Sequence, residues 1–344
     1  MNNNDITDMF FNPTDSPPPI LLRMGFVLLP QFAMGALAAF ADLLGMLDSQ
    51  TDADGPCAWE VVADTLIPVR SASGVQVTPT HLSGDPARFD YIVVVGGPQA
   101  PAGGYWPGLM SWLRQAAKAG CHIVALANGV FATAQAGVMA QHRLCVPGGL
   151  YRQFLAAYPS WPLEALVTDR PTVFDRRRIS CAGGPAVVDV AARILARHLP
   201  TANIQRALRG LQIQTGESHS QVQPPPAGVP ADSPPAVRRA MLLIQQYASQ
   251  SLTLAQLASH VGVSPRQLQR LFSQHLHTSP QACAREARLQ QACWLLRETD
   301  KSIATVASDC GFSDAAHMGR SFKASYGRSP GAWRRQETKP KNTV

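Results

Sequence analysis

Two different hydrophobic patterns divide this chain. In its first two hundred residues, short apolar runs alternate with stretches of helical period. Tyr91–Val95 is an unbroken apolar run closed by Gly96-Gly97, as expected of a strand covered on both faces. Residues 25–29, His122–Leu126 and 179–182 have the same character. Between them, 34–47, 107–119, 130–139 and 185–198 read as helices. Such alternation predicts an α/β domain with a mostly parallel sheet and helices on both faces.

Past residue 236 the strand-like runs stop and an internal repeat appears. Residues 254–264 (LAQLASHVGVS) return 49 positions later as 303–313 (IATVASDCGFS). One extra residue then moves the offset to 50, so that Arg270 matches Arg320, Phe272 matches Phe322, and Ser279-Pro280 matches Ser329-Pro330. A match along the whole unit marks a duplicated structural element. Thr253 and Gln256 form a capping-box pattern, Gly262 supplies a turn, and Ser264-Pro265 starts a second helix. Leu268, Leu271 and Phe272 fall on one helical face, whereas Arg266, Gln269 and Arg270 fall elsewhere. In the second copy Ser313 is the expected cap, Met318 and Phe322 face inward, and His317, Arg320, Ser321 and Lys323 face out. The expectation is an all-α domain with two helix-turn-helix units. Residues 279–299 between them, about twenty in helix, would span roughly 30 Å. That is close to the ~34 Å between major-groove faces one turn apart.

Charge sharpens this reading. Residues 1–220 carry 15 Lys/Arg against 16 Asp/Glu, whereas 236–344 carry 15 against 6. A basic C-terminal block implies a polyanionic partner. The stretch 214–235 holds Pro224-Pro225-Pro226 and Pro234-Pro235, so a semi-extended linker is expected there. The expected organisation is a disordered tail (1–19), an α/β domain (20–213), the linker (214–235), the helical domain (236–335) and a short tail (336–344). Residues 24–41 lack charge, but Pro30-Gln31 divides them into a strand-like and a helix-like half, so no membrane association is expected. The seven cysteines are scattered without a CxxC pair, which fits thiols in a reducing cytoplasm. His122 and His142 read as structural residues, and no cofactor or metal site is visible.

The region from about 236 to 335 resembles the DNA-binding domain of the AraC/XylS regulators, above all in 311–323 (GFSDAAHMGRSFK) and 326–330 (YGRSP). The resemblance implies a double-stranded DNA partner, with Arg266, Gln269 and Arg270, and then His317, Arg320 and Ser321, entering successive grooves, Lys323 lying nearby. Arg270 and Arg320 either read bases or hold phosphates. Ala315 and Ala316 stand where relatives often have polar residues, which implies weaker base reading by the second unit.

The region from about 21 to 199 resembles the PfpI/ThiJ class, related to glutamine amidotransferases. The landmarks are Leu28-Leu29-Pro30, Val95-Gly96-Gly97, the elbow Ala127-Asn128-Gly129, and Cys181-Ala182-Gly183-Gly184 leading to Asp189. Enzymes of that class carry a reactive cysteine on the elbow, where a helix N-terminus stabilises the thiolate. Here that position is Ala127, and the class's downstream histidine matches Pro147. No catalytic residue is therefore expected, and Cys121, Cys145 and Cys181 read as packing residues. A scaffold without its nucleophile suggests a pocket at the carboxyl ends of the strands, with Gln31, Phe32, Gly97, Pro98, Ala127, Asn128 and Gly184 as walls.

The combined expectation is a cytoplasmic, homodimeric transcription regulator that is not an enzyme, binds a small polar effector, and works with RNA polymerase. Two alternatives stay open: an amidase or hydratase fused to DNA-binding helices, and a scaffold whose N-terminal domain only dimerises.

Overall fold

The structure, a computed structural model, describes residues 22–48, 57–99, 104–213, 223, 228–230, 232–250 and 252–337. The N-terminal tail and most of the proline-rich linker lie outside the described residues. The chain forms two compact units, Met1–Val146 with Thr172–Ser220, and Pro147–Pro171 with Gln221–Val344. The second unit thus takes in 147–171, a stretch that the sequence pattern places with the α/β domain.

The first unit begins with β1 (Leu22–Leu28), α1 (Met34–Asp48), β2 (Cys57–Ala63), and the two-residue strands β3 (Val69–Arg70), β4 (Gln76–Val77) and β5 (His81–Leu82). It continues with β6 (Tyr91–Val95), α2 (Leu109–Lys118), β7 (His122–Leu126), α3 (Gly129–Gln135) and β8 (Leu144–Cys145). After α4 (Tyr151–Ala157) and β9 (Leu166–Val167) in the second unit, the chain returns as β10 (Thr172–Asp175), β11 (Arg178–Cys181), α5 (Ala186–Leu195) and α6 (Thr201–Gly210). The main sheet has seven strands in the order β10-β11-β7-β6-β1-β2-β5. Every pairing is parallel except the β10–β11 edge hairpin.

Alternation along the strands explains the two covered faces. Tyr91, Val93, Val95, Val124, Leu126, Ile179 and Cys181 share a core with α1, α5 and α6. The intervening Ile92, Val94, Ile123 and Ala125 are equally buried, on the side where α2 and α3 pack. The uncharged stretch 24–41 divides into β1 and a 15-residue α1, and no helix among the described residues is long and apolar enough to cross a membrane. The chain leaves β1 toward β2 on one side, while β6, β7 and β11 lie on the other. The order of connection therefore reverses between the parallel neighbours β1 and β6, where open α/β sheets hold their ligands.

The second unit contains α7 (Pro235–Gln246), α8 (Leu254–Val261), α9 (Pro265–Leu276), α10 (Pro280–Glu298), α11 (Ile303–Asp309), α12 (Ala315–Tyr326) and α13 (Pro330–Glu337). It has two cores. Val237, Ala240, Leu257, Ala258, Leu268, Phe272 and Ala287 form the first, and Leu289, Ala292, Leu296, Val306, Ala307, Met318 and Phe322 form the second. α10 joins them, and its 19 residues correspond to about 28 Å of helix.

Residues 147–171 are tied to α7 by buried polar bonds. Gln246, 4% exposed, accepts from Thr168 Oγ1 at 2.7 Å and donates to the Leu166 carbonyl at 2.6 Å. Its backbone carbonyl accepts from the Tyr151 hydroxyl at 2.9 Å. Asp169 pairs with Arg239 at 2.5 Å. A buried amide needs such partners, because leaving its groups dry and unmatched is costly.

Candidate nucleic-acid interface and elbow site

The two helix-turn-helix units are built from similar local signals. Thr253 Oγ1 accepts from the Gln256 N–H at 3.2 Å while Gln256 Oε1 accepts from the Thr253 N–H at 2.9 Å, which starts α8. Gly262, at φ +74°, ends it in the left-handed region. Ser264 then caps α9 by accepting from the Gln267 N–H at 3.2 Å, with Pro265 in the first turn. Burial of Leu268 and Phe272 leaves Arg266, Gln269 and Arg270 exposed on the same helix.

In the second copy Ser302 caps α11, and Gly311 makes the turn at φ +71°. A Cβ on Gly311 would stand 2.3 Å from the Ser249 carbonyl oxygen, so close approach demands glycine there as well as the positive φ. The cap of α12 is Asp314, not the expected Ser313. Asp314 Oδ1 accepts from the His317 N–H at 2.6 Å, and the Ser313 hydroxyl donates to the other carboxylate oxygen at 3.2 Å. A carboxylate at the positive end of a helix is the stronger acceptor. That hydrogen bond, helped by Arg320, holds the Asp314 carboxyl below its usual range.

His317, Arg320 and Lys323 are exposed on α12, whereas Ser321 is half-buried and less available than its spacing suggests. The His317 ring is held edge-on to Phe312 at 5.5 Å and bonds to Ser313 at 3.1 Å. Arg266, Arg270, Arg320 and Lys323 form no ion pair among the described residues. Their charge is therefore open to an outside anion.

In the α/β unit, the turn from β7 into α3 carries Ala127 at its apex. Ala127 follows β7 at φ +52°, a conformation costing a non-glycine residue roughly 1–2 kcal/mol. Its N–H donates to the Cys181 carbonyl at 2.8 Å. Asn128 is 3% exposed; its Oδ1 accepts from the Gly97 N–H at 2.8 Å and its Nδ2 donates to the Gln99 carbonyl. The side chain thus staples the loop after β6, and it does not reach out as a wall residue offering its amide. Gly96 and Gly97 permit this, since a Cβ would lie 2.0 Å from Asn128 Oδ1 or 2.1 Å from the Gln31 carbonyl oxygen.

Phe32 is fully buried in the main core and is not a pocket wall. Gly97 and Ala127 are buried too, which leaves Gln31, Pro98 and Gly184 as the exposed members of the expected set. Asp189, a landmark of the sequence, lies on α5. It is 8% exposed on the first turn of α5, and its Oδ2 is buried with no hydrogen-bond partner among the described residues. The landmark was legible, but its orphaned oxygen depends on tertiary packing.

Cys121 and Cys181 offer no ready thiolate. Burial pushes the Cys181 thiol up to about 12 and raises that of Cys121, whose Sγ donates to the Pro86 carbonyl at 3.3 Å. Cys145 is fully buried. His122 stacks on Tyr91 at 4.5 Å, His142 lies 3.5 Å from Asp175, and burial lowers the pKa of both histidines.

Two capped recognition helices bearing unpaired basic side chains, beside an α/β domain with a silent elbow, define a DNA-binding regulator of two parts. A helix-turn-helix domain model matches residues 257–336, and the DJ-1/PfpI family model matches 47–196. The chain is 31% identical over 228 residues to the HTH-type transcriptional regulator ArgR of Pseudomonas aeruginosa, covering 65% of this chain and 67% of that protein. It is 27% identical to the HTH-type transcriptional regulator GlxA of Rhizobium meliloti over 326 residues, 91% of this chain and 96% of that one. A solved AraC family transcriptional regulator from Pseudomonas putida is 20% identical, with a TM-score of 0.49, and covers 55% of this chain and 99% of its own. The chain belongs to the AraC family of helix-turn-helix transcription regulators that carry an N-terminal DJ-1/PfpI domain. It is a DNA-binding transcription regulator.

Proposed function

We propose that the α/β domain senses a small polar effector without chemically transforming it, and so controls how the recognition helices meet DNA. The observation that carries this reading is the elbow: its backbone geometry is retained at φ +52°, yet the residue there is Ala127. Covalent catalysis needs a nucleophile with a base in hydrogen-bond reach, and this elbow offers no nucleophile. The effector sits at the carboxyl ends of β1, β6 and β7, against Gln31, Pro98 and Gly184, with Asp189 Oδ2 as an acceptor for a donor or cationic group. Arg266, Gln269 and Arg270 enter one groove; His317, Arg320 and Lys323 enter the next, with Ser321 at its margin. The protein works in the cytoplasm as a homodimer that engages RNA polymerase, and it is not an enzyme.

The test is thermal unfolding of the whole protein against a panel of small amines and amino acids, with the compound assayed afterwards. Wild type is expected to gain stability from one class, Asp189→Asn to gain much less, and the compound to be recovered intact. Consumption of the compound, or equal stabilisation of both proteins, contradicts the reading.

A further inference from the structure

Between the two helix-turn-helix units lies a cleft of about 320 Å³, walled by Leu252, Leu257 and Phe312 and edged by Arg285, Arg288 and His317. Among the described residues its lining includes no carboxylate. The nearest acidic side chain along α10, Glu286, is occupied elsewhere: its Oε1 accepts from the Tyr326 hydroxyl at 3.0 Å and from Gln290 at 3.4 Å. Arg285 and Arg288 are one helical turn apart on α10 and share the cleft face. Arg288 is positioned by donating through Nε to the Ala248 carbonyl at 3.1 Å, whereas Arg285 is exposed and makes no ion pair among the described residues. Burial and the neighbouring Arg285 charge both press the Arg288 guanidinium below its usual pKa. Two like charges at a concave site without a counter-charge are unfavourable until an anion arrives. His317 belongs at once to this cleft and to the first turn of α12. His317 thus places one edge of the cleft beside the first turn of α12.

We propose that Arg285, steadied beside Arg288, grips a phosphate of the DNA backbone where the strand crosses from the groove read by α9 to that read by α12. This rests on the DNA-binding assignment of both helices and adds a contact from α10, which lies outside either recognition helix. Such a contact fixes register and adds affinity without reading sequence.

The experiment measures binding of the full-length protein, across a salt series, to a duplex selected from a random pool and to a random-sequence duplex of equal length. Arg285→Ala is expected to weaken both by a similar factor, roughly five- to tenfold. The slope of log affinity against log salt should become shallower by about 1. Arg285→Lys should recover most of the loss, and unfolding curves should show all three proteins folded. Unchanged affinity and slope overturn the proposal, as does a loss confined to the selected duplex, which would mean base reading. Arg285-dependent stabilisation by millimolar inorganic phosphate, with DNA affinity unaltered in Arg285→Ala, would make this a small-anion site and also overturn it. If wild type binds neither duplex, the broader DNA-binding reading falls with it; the other outcomes leave that reading standing.

Discussion

Ala127 holds a backbone conformation that a reactive residue would exploit, and does so with a methyl group. Cys181, whose carbonyl accepts from Ala127, is the nearest thiol in the hydrogen-bond pattern, and burial holds it at about 12. At pH 7–9 it therefore stays protonated. Iodoacetamide on the native protein should leave Cys181 unmodified by mass spectrometry, whereas an Ala127→Cys variant should be alkylated at position 127. Rapid native alkylation of Cys181 would contradict that account. Residue roles were only partly legible in the sequence. The caps Thr253 and Ser264 were readable because they depend on neighbours three positions away. Ser313-Asp314 offered two adjacent acceptors, and only the chain path decided for Asp314. The stapling of Asn128 to Gly97 and Gln99 joins distant loops, which no local spacing announces.

Among elements, the duplicated turns allow a comparison within one molecule. Gly262 and Gly311 have nearly equal φ, +74° and +71°, but only Gly311 would press a Cβ into the Ser249 backbone. Gly262→Ala should cost about 1–2 kcal/mol for the left-handed conformation, and Gly311→Ala clearly more. Urea unfolding of the two variants checks the order; equal losses would contradict it. Thr253→Ala should cost about 1 kcal/mol through the lost cap. Asp314 gives its helix a pH dependence. Its folded pKa lies below the unfolded value, so its stabilisation is complete above the unfolded range near 4 and is lost as pH falls through the folded value. Asp314→Ala should therefore lose less stability than wild type between pH 5 and 3. Periodicity disclosed the central strands β6 and β7 to the residue, because runs buried on both faces are unbroken. It did not disclose β2, whose CAWEVVA mixes exposed Trp59 and half-buried Glu60 with apolar neighbours, or the short antiparallel β10 at the sheet edge.

For the molecule as a whole, the grouping of 147–171 with the DNA-binding helices changes what an independent fragment means. Gln246 and Arg239 both lie on α7, which also supplies Val237, Ala240 and Leu243 to the core under α9. A fragment starting at Ala236 loses the partners of both residues, so it should bind DNA yet unfold at a lower temperature than a version retaining 147–171. Gln246→Ala in the full chain should be destabilising, at about 1–3 kcal/mol for each buried group left unmatched. The central claim is that one chain reads DNA with two recognition helices, α9 and α12, joined by α10. It is tested most directly by selecting duplexes from a random pool with the full-length protein and sequencing those bound. Two short preferred blocks about 10 base pairs apart are expected, with Gln269→Ala relaxing preference in one block and His317→Ala in the other. A selected pool without sequence preference, or a single block insensitive to both changes, would contradict the account.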